Sequence, residues 1–180
     1  AGRWDAQGGM TAITENLRLL EKEGIRYHMV PSLVRHLSSR ADLTALWSLI
    51  ALLRQEQPHI VHTHTSKAGV LGRLAAWITG VPMIIHTPHG HVFYGHFGSV
   101  FSWVFLQIER ALAWITDVLI ALTAAEKAEH LERGVGWADR FAVIPSGIDV
   151  DRFKQVRKAE KVMPEWFDCP PDAIVIGSVG

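Results

Sequence analysis

Seven of the ten histidines in this 180-residue chain fall between His59 and His96. Imidazoles at such density suggest proton handling, ligand binding or a metal. His62-Thr63-His64 sets two of them at i, i+2, so they point the same way for as long as a strand continues. A zinc hydrolase could use such a pair, with His86, His89, His91 or His96 as third ligand. Residues 59–100 hold no Asp, Glu or Cys to complete a mixed ligand set. The alternative makes His62 a hydrogen-bonded near-core residue and leaves His64 lining a cleft. Ser66-Lys67-Ala68-Gly69 opens a helix, whose free N–H groups and dipole favour an anion such as a phosphate-bearing acceptor. The plainer account is an N-cap with a solvated lysine. The spacing is not that of a Walker A loop. In Thr87-Pro88-His89-Gly90 an imidazole follows an apolar run, and the glycine allows close backbone approach. That pattern serves catalysis or a structural turn.

These residues need elements to hold them, and helical and extended patterns alternate along the chain. Thr11 to Glu23, Asp42 to Gln55, Ala68 to Ile78, Ser99 to Ile115 and a segment from Thr123 to Arg133 carry helical spacing. Thr123 and Glu126 form a capping box. Strands are expected at Arg26–Val30, His59–Thr63, Met83–Thr87, Asp117–Leu122, Phe141–Ile144 and Ala173–Val179. This alternation predicts an α/β fold, a Rossmann-like parallel sheet with helices on both faces. Ile60-Val61, Ile84-Ile85 and Val118-Leu119-Ile120 are nearly all apolar, as expected of doubly buried strands. Ligands of such sheets bind beyond the carboxyl ends of the strands. His64, Thr65, Ser66, Lys67, Gly69, Gly90, Ser146 and Gly147 follow strands and are candidates for substrate contacts. His89 is the candidate for catalysis.

Composition narrows the class. Apolar residues make up 48% and charged residues 20%, within the globular range, and the formal net charge is zero. No basic face for nucleic acid is visible. The single cysteine, Cys169, excludes an internal disulfide and suits a reducing compartment. Neither a signal peptide nor a spanning apolar run is apparent. The aromatic stretch from Phe93 to Phe105 is core, or a surface for a bilayer or a lipid-linked acceptor.

Four segments in order resemble the family-4 retaining glycosyltransferases of GT-B architecture. They are residues 58–69, residues 81–90, Thr116 to Ala121, and Val143 to Asp149 with Phe153; the resemblance covers roughly residues 10–153. It implies two Rossmann-like domains about a cleft, the N-terminal one holding the acceptor and the C-terminal one a nucleotide sugar. Here residues 1–150 are the acceptor-side domain without its first strand and Gly-rich loop, 151–172 a linker, and 173–180 the first strand of the donor domain. The family's Thr-x-His motif places His89 near the donor sugar. Its Asn-Gly turn reads Ser146-Gly147 here. The implied reaction moves a sugar to a polysaccharide or lipid-linked acceptor with retention. No cofactor is implied, since the nucleotide sugar is a substrate. The setting implied is bacterial polysaccharide biosynthesis in the cytoplasm, with peripheral contact to the inner membrane face. Without the donor domain, the chain alone is expected to be inactive. The competing expectations are a zinc-dependent hydrolase built on His62, His64 and His89, and a sugar-nucleotide epimerase of the same architecture.

Overall fold

The computed structural model describes residues 17–34, 36, 38–88, 99–147, 150 and 151. The first helix, α1, is described over residues 17–22. There follow α2 (Ser39–Glu56), β1 (Ile60–His64), α3 (Ser66–Thr79), β2 (Met83–Thr87), α4 (Ser99–Ala113), β3 (Val118–Ala121), α5 (Ala124–Glu132), a 3-10 turn (Ala138–Arg140) and β4 (Phe141–Val143). Local sequence explains the ends. Gly80 takes a left-handed φ of 72° to close α3. Thr123 Oγ1 accepts from the Glu126 amide at 3.0 Å, and a Glu126 carboxylate oxygen accepts from the Leu122 amide at 2.6 Å. That is the capping box read from the sequence, with Glu126 reaching one residue beyond the cap.

The four strands are all parallel, in the order β1-β2-β3-β4, as the α/β class requires. Register separates the two faces. Thr63 lies opposite His86, His86 opposite Leu119, and Leu119 opposite Phe141. These four residues, with Ile84 and Ala121 on the same face, are buried. Ala113, Leu119, Ala121, Val135 and Phe141 form one core cluster, with Leu106 and Leu131 against it. On the other face Ile60, His62, His64 and Met83 are exposed, and Ile85, Val118 and Ile120 are half-buried. The two faces are unequal because α3, α4 and α5 each join neighbouring strands in the same direction. Right-handed crossovers then set all three on one side. Apolar strands had suggested equal burial; among the described residues the second face is the more exposed one, with Thr87 its buried exception.

The strand expected at Arg26–Val30 does not form; residues 25–30 are irregular. Extended propensity without a ladder partner does not make a strand. The segment is tied instead to the end of α2, with Arg26 Nη2 at 3.0 Å and His28 Nε2 at 3.4 Å from the Glu56 carboxylate. The chain divides into two units, Ala1–Pro145 and Ser146–Gly180. The expected linker from residue 152 and the expected strand Ala173–Val179 lie outside the described residues. Among the described residues, no helix is long and apolar enough to cross a membrane.

Candidate functional site

β1 runs one residue past its expected end, to His64. The alternation therefore holds, and His62 and His64 project from the same open face. Their ring centroids are 4.1 Å apart at 40°. His64 pairs in register with Thr87 on β2. His62 Nε2 lies 2.8 Å from Thr87 Oγ1, and the Thr87 carbonyl accepts from the Thr65 amide at 3.2 Å. Two imidazoles and a threonine thus gather where parallel sheets bind ligands, at the carboxyl ends of adjacent strands. His62, expected near the core, is exposed. The signal that could have placed it is the i, i+2 pattern itself, once the strand is allowed to reach His64.

The buried face of the same strands carries a second polar group. His86 is 1% exposed. Thr63 Oγ1 donates to the Ile85 carbonyl at 3.2 Å and lies 2.9 Å from His86 Nδ1. With the hydroxyl proton given to Ile85, Nδ1 carries the ring proton and donates to Thr63, which leaves Nε2 a bare acceptor. His86 Nε2 has no partner among the described residues. Burial, reinforced by the Arg73 charge, lowers the His86 pKa from 6.5 to about 3, so the ring is neutral.

Helix α3 comes this close to the sheet because of two glycines. A Cβ on Gly69 would stand 2.4 Å from His86 Cε1, and one on Gly72 would stand 2.7 Å from Thr63 Cγ2. One turn on, Arg73 is fully buried; its Nε donates to the Gly69 carbonyl at 3.0 Å and its Nη2 to both Glu109 oxygens at 2.8 and 2.9 Å. This pair, missed in the sequence, fastens α3 to α4. Gly69, expected to meet substrate, lies inside this helix–sheet contact.

The junction between β1 and α3 is irregular. Thr65 has φ 63° and ψ 171°, a region almost reserved for glycine, and gives α3 no side-chain cap. Lys67, expected at a ligand, commits all three ammonium donors internally. It reaches the Val34 carbonyl at 2.8 Å, the His36 carbonyl at 2.6 Å and the Asp42 carboxylate. Ser66 is half-buried beside it. Ser146 and Gly147 are exposed and belong to the second unit. His89 and Gly90 lie outside the described residues.

The zinc arrangement does not assemble from the described histidines. His86 points to the face opposite His62 and His64, because it pairs with Thr63. Among the described residues no group of three His, Cys, Asp or Glu is placed to hold a metal. Of the aromatic stretch, Trp103 and Val104 on α4 are exposed, while Leu106, just beyond it, packs on the core.

Comparison with known proteins gives these features a context. Residues 7–147 match the family described as glycosyl transferase 4-like domain. The chain is 37% identical over 131 residues to the UDP-Gal:alpha-D-GlcNAc-diphosphoundecaprenol alpha-1,3-galactosyltransferase of Escherichia coli, covering 73% of this chain and 34% of that protein. It is 28% identical over 157 residues to the capsular polysaccharide biosynthesis glycosyltransferase CapM of Staphylococcus aureus, covering 85% and 40%. The chain thus spans little more than a third of the relatives it matches. Among solved structures, the UDP-N-acetylglucosamine 2-epimerase of Rickettsia bellii superposes with a TM-score of 0.51 at 20% identity, over 78% of this chain and 38% of that one. That similarity concerns the fold alone.

Proposed function

The chain belongs to the glycosyl transferase 4-like family, and on that premise we propose that it is the acceptor-side part of an enzyme that transfers a sugar from a nucleotide sugar to a lipid-linked or polysaccharide acceptor. The observation that carries this reading is the family match over residues 7–147, joined to relatives named for galactosyl transfer to a diphosphoundecaprenol-linked sugar and for capsule synthesis.

The chemistry asked of this part is placement. An acceptor hydroxyl attacks the anomeric carbon of the donor sugar; the new C–O bond forms as the bond to the diphosphate oxygen breaks, and the hydroxyl proton is released. The acceptor lies across the carboxyl ends of β1 and β2, in reach of His64, Thr65 and Ser66 and of the His62–Thr87 pair. His89 and Gly90, which follow β2 in sequence, are proposed to contact the same substrates. His89 hydrogen-bonds the donor sugar or its developing charge, an interaction that strengthens in a closed site. Ser146 and Gly147 are further proposed substrate contacts. The configuration of the transferred sugar is retained. The match covers only 34% and 40% of the two relatives, and these 180 residues alone are expected not to catalyse transfer. The whole protein works in the cytoplasm, resting peripherally on the inner membrane face where a lipid-linked acceptor resides.

The test is nucleotide release by the full-length protein from UDP-, GDP- and ADP-sugars, with and without an undecaprenyl-diphosphate-linked sugar, for wild type and His89→Ala. Acceptor-dependent release that collapses in the variant supports the proposal. Absence of release from every donor, or an unaffected variant, rejects it.

A further inference from the structure

A lysine three residues past the carboxyl end of a parallel strand looks like a phosphate ligand, yet Lys67 makes its contacts within the protein. Its ammonium has three protons, and three acceptors meet them: the carbonyls of Val34 and His36 at 2.8 and 2.6 Å and the carboxylate of Asp42. The Asp42 carboxylate has a second duty, since its Oδ2 accepts from the Ser38 amide at 3.2 Å. The hydrogen bond from Lys67 holds the Asp42 carboxyl below its ordinary pKa, so the carboxylate is ionised at neutral pH. Four contacts through two side chains thus fix the backbone at Val34, His36 and Ser38 to the first turns of α2 and α3. Lys67 is the second residue of α3, three residues past the end of β1. The clamped backbone is therefore tied to the start of the helix that directly follows the His64–Thr65 end of β1.

We propose that Lys67 is a positioning residue: with Asp42 it latches the backbone of Val34, His36 and Ser38 as the acceptor-side rim of the site, and it does not itself bind substrate. This rests on the transferase reading above. The latch joins segments 31–33 residues apart in sequence to one ammonium group, so losing it frees the rim and leaves the sheet intact. The buried face of β1 and β2 is held independently by Thr63, His86, Arg73 and Glu109.

The experiment uses the full-length protein as wild type, Lys67→Met, Lys67→Arg and Asp42→Asn, with UDP-galactose as donor probe and GlcNAc-diphosphoundecaprenol as acceptor probe. Amide hydrogen exchange over residues 31–42 is followed in parallel. Lys67→Met is expected to raise acceptor KM about tenfold, the equivalent of one charged hydrogen bond, with donor KM and kcat little changed. Exchange should accelerate over residues 31–42 and nowhere in β1–β4. Lys67→Arg, which keeps the charge and donors, should recover part of both effects, and Asp42→Asn should reproduce the exchange change in weaker form. Raised acceptor KM with unchanged exchange would mean that Lys67 touches the substrate directly, and the latch would be wrong. Equal losses in both KM values, or exchange spread through the sheet, would also overturn it. If wild type transfers nothing, the transferase reading fails while the exchange comparison still decides the latch.

Discussion

The imidazole of His86 occupies the space that a side chain on residue 69 would need: Gly69 has no Cβ, and one built there would stand 2.4 Å from His86 Cε1. Helix and sheet are therefore complementary at this point through an absence on one and a ring on the other. Gly69→Ala forces one of them to move and should cost about 1–3 kcal/mol, the usual range for overpacking. In a His86→Ala background most of that cost should vanish, a coupling of at least about 1 kcal/mol. Urea denaturation of the four proteins measures it, and additive effects would be inconsistent with the contact.

The neighbouring contact makes a sharper version. Gly72→Ala meets Thr63 Cγ2 at 2.7 Å. Thr63→Ser removes that methyl while keeping the hydroxyl bonded to Ile85 and His86. Thr63→Ser should therefore rescue Gly72→Ala but not Gly69→Ala, again read by denaturant midpoints at constant m.

His86 also writes a pH dependence into stability. Its folded pKa of about 3 lies below the 6.5 of the free group, so the unfolded chain binds the proton more readily. A depressed base is harmless above pH 6.5 and destabilises the fold as pH falls below it. Between pH 7.5 and pH 5 this group alone should remove about 2 kcal/mol. His86→Asn lacks the titration and should show a flatter profile over that window, whatever its absolute stability. Parallel profiles in wild type and variant would exclude His86 as the source.

The ion pair between Arg73 and Glu109 sits with the arginine side chain fully buried and the glutamate side chain 11% exposed. Removing one partner leaves a desolvated charge. Arg73→Met should destabilise by about 3–5 kcal/mol, while Arg73→Met with Glu109→Leu should regain most of it. Thermal unfolding of the single and double variants tests this; a double variant no better than Arg73→Met would show that the arginine packs rather than pairs.

Thr65 holds a backbone conformation that costs a β-branched residue on the order of 1–3 kcal/mol. Thr65→Gly should relieve that strain and stabilise the protein by about 1 kcal/mol, after allowance for the looser unfolded chain. If the strained junction shapes the acceptor site, the same variant should lower kcat/KM in the full-length enzyme. Stability gained without any loss of activity would make the strain incidental.

Much of this architecture was legible in the sequence, because it rests on periodicity and punctuation. The 3.6-residue spacing of α2 to α5, the apolar runs of β1 to β3, the glycine that closes α3 and the Thr123–Glu126 box are local signals, and local signals suffice when each element also has a partner. Arg26–Val30 had the propensity but no partner, so no strand formed. Chemistry was harder to place than elements. Which side of the sheet an imidazole faces turns on a single residue of register: β1 reaching His64 sends His62 and His64 to the open face, and pairing Thr63 with His86 sends His86 to the other. The internal contacts of Lys67 had no local signature. Its three acceptors lie 25 to 33 residues away in sequence, and only the fold brings them together. The burial of Arg73 and its meeting with Glu109, 36 residues on, had no local signature either. Sequence determined most of the segments that are helix or strand and pointed to the strand ends as the place to look for ligands. Tertiary structure decided which polar side chains remain available there, because hydrogen bonds and ion pairs between distant segments depend on through-space distance, on which spacing along the chain is silent.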